Sequence, residues 1–340
     1  MSRRYGLVVH PSRDVDGPRD ALLEWAAAND TEVVALGERV PGHDDLPLRD
    51  AGDCSLVVAI GGDGTVLGGA RLAAAAPNHP PVLGLACGSL GALAAVRASD
   101  TTRALDRYAA GDWTALALDG LRVTDEAGAT AVALNDVCVV RKGAGQVKAT
   151  VSIDGELYVR SAGDGIVVST ALGSSAYGMA AGGPILAPGT QALSVTPLAM
   201  HGGSAPSLVV PSTSELRIEV GSGFGGRRLE VDGQPAAVEG HELDLRLEAA
   251  HVELVSFGDG EGFLAGLRFG EMIAMEADWL WFADDGEHGK IRVQETRFWQ
   301  PKDKEAREIP MAPRLLQFLK KWPIEGSFVL KPKKDVFPEA

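Results

Sequence analysis

The chain has 340 residues, enough for two or three domains with sizeable cores. Its formal net charge of −14 argues against non-specific nucleic-acid binding, and it contains no apolar run of the ~18 residues a membrane helix needs. Cys54, Cys87 and Cys138 are odd in number and widely spaced among apolar residues, so they read as small buried hydrophobes rather than disulfide or zinc ligands. Met1 to Tyr5 lacks the apolar core of a signal peptide, and the expectation is a cytoplasmic protein with no metal cage of its own.

The charge is unevenly placed. Residues 1–266 hold 19 Lys+Arg against 33 Asp+Glu, whereas residues 267–340 hold 13 of each. Four of the six tryptophans and six of the nine phenylalanines also fall after residue 266, so the two parts look like sequences of different origin. An acidic, lysine-poor body suits either solubility at high salt or a GC-rich coding sequence.

Tyr5–His10 predicts a first strand. The helix Pro18–Asn29 follows, with Leu22, Leu23, Trp25 and Ala26 as its apolar positions, and then the strand Glu32–Leu36. Strands alternating with helices imply a parallel, doubly wound sheet. Leu56–Ile60 is a continuous apolar run, the mark of a parallel strand buried on both faces. It leads into Gly61-Gly62-Asp63-Gly64-Thr65 and an Ala-rich helix over Val66–Ala76. Glycines at a strand-to-helix turn let the backbone approach a phosphate, and the helix N-terminus presents N–H groups to it. A carboxylate there is either a helix cap or a group that holds a metal or receives a proton from a hydroxyl. Arg71, six residues beyond Thr65, is either a phosphate contact or an exposed helix arginine, and His10 is either a phosphate contact or a loop histidine. Pro81–Leu85 is the next strand and Gly88–Gly91 its outgoing turn, which should face the same cleft.

From Trp113 the pattern becomes antiparallel. Leu116–Leu118, Leu121–Val123, Ala131–Leu134 and Val147–Ile153 read as strands, with Gly155 and Gly163 at hairpin turns. Asn135-Asp136 is either an Asx turn or a donor and acceptor pair for ribose hydroxyls and an amide. The stretch 164–186 offers the hydroxyls of Ser169, Thr170, Ser174 and Ser175 around Gly173, with Ala176 and Tyr177 following. Leu208–Pro211, Glu215–Val220, Leu229–Gln234 with Asp232-Gly233 at its turn, and Val252–Val255 complete the strands.

The set GGDGT at 61–65, Leu134-Asn135-Asp136, the DG…ST…GSSAY…GGPI block from Asp164 to Ile185, and Asp232-Gly233-Gln234 resembles the NAD kinase family, in the family's order, over residues 1–266. GGDGT alone is shared with diacylglycerol and sphingosine kinase relatives; the ordered set is far more specific. The resemblance implies an α/β fold. Its Rossmann-like parallel-sheet domain would take residues 1–114 with 250–266, and an antiparallel β-rich domain residues 115–249. It implies transfer of a phosphoryl group from ATP, with Mg²⁺, or from polyphosphate to the 2′-hydroxyl of NAD's adenosine ribose. Asp63 would be catalytic. Gly61, Gly62, Gly64, Thr65 and Arg71 would hold phosphates. Asn135, Asp136, Asp164, Ser169, Thr170, Ser174, Ser175, Ala176, Tyr177, Asp232 and Gln234 would hold NAD. It also implies a homo-oligomer, a dimer or tetramer, in which Asp164 reaches a neighbouring protomer's ligand. The sequence departs from the family at Ala86 (usually Asn), at Ala92 and Leu93 (Phe and another large residue), at Asp136 (Glu) and at Ala171-Leu172 (Pro-Thr). A non-catalytic NAD(H)-binding paralogue is the alternative reading.

Residues 265–322 resemble part of a tyrosine recombinase catalytic domain, through Ala265–Glu271 around Arg268, Lys290–Val293, Pro301–Pro310 and an amphipathic helix Arg314–Trp322. No tyrosine follows Tyr177 and the His-x-x-Arg motif is absent, so the stretch 267–340 is expected to be an appended, non-catalytic α+β fragment. A DNA-binding role through this tail is the weakest alternative.

Overall fold

The computed structural model describes residues 3–257 except 41, 44, 88–92, 95, 188, 202–204, 222–225 and 237, and beyond them 279–283, 288–294, 307–311, 316 and 319–320. The N-terminal half forms β1 (Arg3–Val9), β2 (Thr31–Leu36), β3 (Leu48–Arg49), β4 (Leu56–Gly61), β5 (Val82–Ala86) and β6 (Val96–Arg97), all paired parallel. All six residues of β4 are buried, as its unbroken apolar run requires of a strand covered on both faces. Helix α1 (Asp16–Ala28) buries Leu22, Trp25 and Ala26 and leaves Leu23 half-buried. Trp25 stacks on Tyr5, ring centroids 5.9 Å apart, and donates its indole N–H to Asp106 at 2.7 Å. Asp106 lies on α3 (Thr101–Ala109), a helix the sequence reading did not single out. Helix α2 (Asp63–Ala75) covers the other face with Val66, Ala70 and Ala73.

The second half begins with β7 (Thr114–Asp125), β8 (Thr130–Ala133), β9 (Asp136–Arg141), β10 (Val147–Ile153), β11 (Glu156–Gly163) and β12 (Gly165–Ser169). After the short helix α4 (Tyr177–Ala180) come β13 (Ala192–Leu198), β14 (Leu208–Pro211), β15 (Leu216–Gly221), β16 (Arg227–Val231), β17 (Gln234–Pro235) and β18 (Glu242–Ser256). Two sheets result. A twelve-stranded one runs β11-β10-β15-β18-β5-β4-β1-β2-β3, with β6, β7 and β8 attached, and a six-stranded one runs β14-β13-β12-β9-β16-β17. They pack face to face over a core that includes Val139, Ile166, Val168, Leu193 and Val195 from the smaller sheet and Val151, Ile218, Leu243 and Leu245 from the larger. Strand β18 joins the halves: its first part pairs with β15, and Leu254 pairs in parallel with Val82 of β5.

Two expectations need correcting. Leu116–Leu118 and Leu121–Val123 are one strand, β7, because its partner β18 carries an irregularity between Glu248 and Val252 that absorbs the Asp119-Gly120 step. Gly163 is not at a hairpin turn: it pairs with Val147 at the end of β11, and the chain there crosses to the other sheet. Gly165–Ser169, which the sequence reading did not single out as a strand, is buried between β9 and β13.

Beyond residue 278, β19 (Leu280–Phe282), β20 (Gly289–Val293) and β21 (Arg307–Pro310) form an antiparallel three-stranded sheet. Trp279, Ile291, Val293, Met311, Leu316 and Leu319 cluster on it. Such a sheet suits many small folds and identifies none. Arg268 and Arg314, like the Gly88–Gly91 turn and Ala92, lie outside the described residues.

Candidate active site

Strand β4 delivers Gly61 to the C-terminal edge of the parallel sheet, where ligands of such folds bind. A Cβ on Gly61 would run into the Thr65 side chain and come within 3.1 Å of the His10 Cβ, so only glycine fits. Gly62 is the N-cap of α2, in extended conformation, and its carbonyl accepts from Thr65 N at 2.9 Å and Val66 N at 3.1 Å. Asp63 is the first helical residue. Its Oδ1 accepts the Leu93 N–H at 3.0 Å, from the segment leading to β6. A Cβ on Gly64 would meet nothing within 4 Å, so the turn is open to an incoming group there.

The loop after β1 borders this turn. His10 Nδ1 accepts from the backbone N–H groups of Ser12 and Arg13, both at 3.2 Å, which identifies His10 as a brace for the loop. Arg13 in turn donates from Nη1 to the Cys87 carbonyl at 2.8 Å, and that nitrogen lies 3.3 Å from where a Gly62 Cβ would stand. Arg71 sits six residues along α2 from Thr65, ~9 Å of helical rise away. The arginine at the glycine turn is therefore Arg13, which sequence reading did not single out.

The other motifs interlock. Asp232, at φ +51 in the β16–β17 turn, accepts with Oδ2 from Leu134 N at 3.0 Å and with Oδ1 from Asn135 N at 2.7 Å and Asp136 N at 3.2 Å. Its own N–H donates to the Asp136 carbonyl at 2.9 Å. Thr170 clamps the same turn from β12: its hydroxyl donates to the Leu134 carbonyl at 2.7 Å and its N–H to the Asn135 carbonyl at 2.9 Å. A Cβ on Gly173 would coincide with the Asn135 carbonyl oxygen, so glycine is obligatory there too. Ser174 donates to the Ala171 carbonyl at 2.6 Å and accepts from Leu186 N at 2.8 Å, which ties in the Gly182–Ile185 segment.

The hydroxyls of Thr170 and Ser174 thus hold the backbone, and Ser169 is fully buried. Ser175, Ala176, Tyr177 and Gln234 are exposed around the turn, and Asn135 is half-buried. Asp164 pairs with Arg141 Nε at 2.6 Å.

Asp136 is the buried acid of the group, 4% exposed. Burial pushes its carboxyl up to about 6; the Cys138 thiol, donating at 3.2 Å, opposes this, and the charges of Asp232 and Glu230 add to it. The Cys138 thiol is pushed strongly upward by its own burial, so it stays a thiol.

One apolar cluster links the two sides. Val66 and Leu93 stand beside Asp63, Leu134 precedes Asn135, and Leu172 precedes Gly173. The first three belong to one apolar cluster, and Leu172, where the family resemblance expects threonine, packs against it.

A family model for the ATP-NAD kinase N-terminal domain matches residues 42–113, and one for the ATP-NAD kinase C-terminal domain matches residues 134–254. An NAD kinase from Clostridium beijerinckii is 32% identical over 265 residues, covering 76% of this chain and 92% of that protein. One from Acidobacterium capsulatum is 36% identical over 285 residues, covering 78% and 97%. Among solved structures, yeast NADH kinase complexed with NADH superposes with a TM-score of 0.63 at 23% identity, over 77% of this chain and 84% of that one. An Archaeoglobus fulgidus NAD kinase in complex with ATP gives 0.60 at 22%, over 76% and 95%. These two likenesses speak to the fold. The two family models span the glycine turn at 61–65, the 134–136 turn, the 164–186 block and the 232–234 hairpin, and together with the sequence relatives they establish that the chain belongs to the NAD kinase family.

Proposed function

We propose that this chain transfers a phosphoryl group from ATP, or from inorganic polyphosphate, to the 2′-hydroxyl of the adenosine ribose of NAD, giving NADP. The observation that carries the reading is that the residues flanking Asp63, Val66 and Leu93, belong to the same apolar cluster as Leu134 before the Asn135–Asp136 turn. Asp63 orients the ribose hydroxyl and takes its proton. The N–H groups of the first turn of α2, together with Arg13, offset the charge of the transferred group without reorganising. Asn135 and Asp136 receive the acceptor's polar groups, with Ser175, Tyr177 and Gln234 at the rim.

Mg²⁺ would arrive on the donor's phosphates and balance their charge. It keeps several waters and takes only one or two carboxylates besides substrate phosphates. Asp63 fits that need as a half-buried carboxylate at the turn, and no cluster of three His, Cys, Asp or Glu residues gathers to cage a metal among the described residues. No helix among the described residues is long and apolar enough to cross a membrane. A homo-oligomer in the cytoplasm is part of the same reading, and light scattering on the full chain measures its size.

The test is NADP⁺ formation from NAD⁺, ATP and Mg²⁺ by the full chain and by Asp63→Asn, with NAD⁺ binding followed separately by calorimetry. Turnover lost in the variant while NAD⁺ still binds supports the transfer and the role of Asp63. Turnover by the variant within threefold of the parent removes Asp63 from the chemistry. A parent chain that binds NAD⁺ and makes no NADP⁺ at low or molar salt is instead a dinucleotide-binding member without transfer activity.

A further inference from the structure

A cleft of about 510 Å³ opens beside the glycine turn. Arg13 and Arg97 line it, with Asp14 as the one acid among its lining residues and Ala86, Cys87 and Ser99 between them. Parallel pairing sets Arg97 of β6 opposite Ala86, the residue before Cys87, whose carbonyl receives the Arg13 guanidinium. Two arginines therefore flank the C-terminal end of β5 in a body whose acids far outnumber its bases. Ala86, where the family resemblance expects asparagine, contributes only a methyl group and keeps the cleft open. A second cavity of about 230 Å³ shares Gly17, Pro18, Ala98 and Ser99 with the first and continues to Thr101 and Thr102 in the first turn of α3.

We propose that this cleft is the seat of a linear oligophosphate: the part of the phosphoryl donor that stays behind when the terminal phosphoryl group leaves the Gly61–Thr65 turn. Arg13 stands at the junction, touching both the turn and the cleft, and Arg97 binds the chain further along. Planar guanidinium groups suit successive phosphate oxygens, which they take two at a time. Two cations lining one cleft against a single acid, Asp14, favour polyanions there. The cavity size lies within the usual range for small-ligand sites. ATP and inorganic polyphosphate present the same chain, so the recognition is of the phosphates and not of a base.

The proposal rests on the kinase reading for the word donor, and its test separates the two. Binding of Mg²⁺-tripolyphosphate to the full chain is measured by calorimetry at low ionic strength, without NAD, for the parent, Arg97→Glu and Arg97→Gln. Arg97 is exposed, so the fold should survive both changes, which circular dichroism checks. The expected result is tenfold or greater weakening in Arg97→Glu, a smaller loss in Arg97→Gln, and unchanged NAD⁺ binding. Tripolyphosphate binding unchanged in both variants overturns the cleft whether or not the chain makes NADP⁺. Weakened binding in a chain that makes no NADP⁺ supports the oligophosphate site and leaves the kinase reading to fail by itself. Where turnover is present, a raised KM for both ATP and polyphosphate with kcat and the NAD⁺ KM unchanged supports recognition of the shared chain. A KM raised for one donor alone assigns the cleft to that donor. Arg13→Lys, which keeps the charge but not the two-toothed fork, is expected to weaken tripolyphosphate binding as well.

Discussion

Asp136 should make the protein less stable at neutral pH than at mildly acidic pH. Burial lifts its carboxyl from 3.8 to about 6, so the fold prefers the protonated form. A raised pKa contributes stability that is complete below the unfolded value near 4 and is lost as pH rises through about 6. Two pKa units correspond to roughly 3 kcal/mol between the protonation states, an upper figure for a site that relaxes when charged. Asp136→Asn keeps the shape and removes the titration. The variant should therefore be more stable than the parent at pH 7.5, by up to about 3 kcal/mol, with the gap shrinking to about 1 kcal/mol by pH 4.5 and closing below the unfolded value. Urea unfolding at half-unit pH steps, with midpoints and slopes fitted together, reads the difference; subtracting the two curves cancels the other titrating groups. In the proposed reading NAD⁺ affinity should move the other way, because there an ionised Asp136 accepts from ribose hydroxyls and an amide cannot replace it. Parallel stability curves for parent and variant between pH 5 and 7.5 would refute the argument.

Asp232→Asn leaves one acceptor oxygen and an NH₂ group where two oxygens meet three backbone N–H groups. It should cost about 1–3 kcal/mol in urea unfolding and weaken NAD⁺ binding, and equal stability would show that the turn holds itself. Gly173→Ala drives a methyl into the Asn135 carbonyl, so the 170–175 loop must shift; NAD⁺ affinity should fall more than tenfold while the unfolding cost stays near 1–3 kcal/mol. His251 lies on β18 where it meets β7, its ring 5.8 Å from that of His79, its Nδ1 3.4 Å from Glu248, and with Arg122 paired to that same glutamate. Burial lowers its pKa, aided by His79 and Arg122 and opposed by Glu248, so the stability it contributes is present above about 6.5 and lost as pH falls below it. In thermal melts, His251→Gln should flatten the pH dependence between 7 and 5; an unchanged slope would exclude this group as its source.

The glycine turn at 61–65 was legible because two strong local signals coincide there: an apolar run too continuous for a half-exposed strand, and glycines that end it. The Asn135 turn, Gly173 and the Asp232 hairpin were visible as motifs, but their division of labour was not. Nothing local in Asp232-Gly233 says that the carboxylate reaches back some hundred residues to three N–H groups. Likewise Arg13 meets Cys87 across 74 positions, and only the parallel sheet brings the two loops to one edge. Gly165–Ser169 escaped as a strand because Ser169 and Thr170 look like turn residues. Thr170 is tolerated in the interior because its hydroxyl has a carbonyl partner. The β7 strand was split in reading because Asp119-Gly120 has turn chemistry. In the fold Gly120 makes room for His251, whose Cγ would lie 2.8 Å from a Cβ there.

These contacts explain why the motifs come as a set. The Asp232 carboxylate holds the 134–136 turn, Thr170 holds that turn from the other side, Ser174 holds Leu186, and the Asp63 carboxylate reaches Leu93 in the next loop. Each motif's polar group satisfies the backbone of another, so losing one exposes buried N–H or C=O groups in its neighbour. It follows that substitutions within this network should be strongly non-additive. Thr170→Val and Asp232→Asn each release the same turn, so the double variant should lose clearly less than the sum of the two single losses in unfolding free energy. Strict additivity would mean that the turn is held by the core beneath it, through Leu134, and that the polar clamps serve the ligand alone.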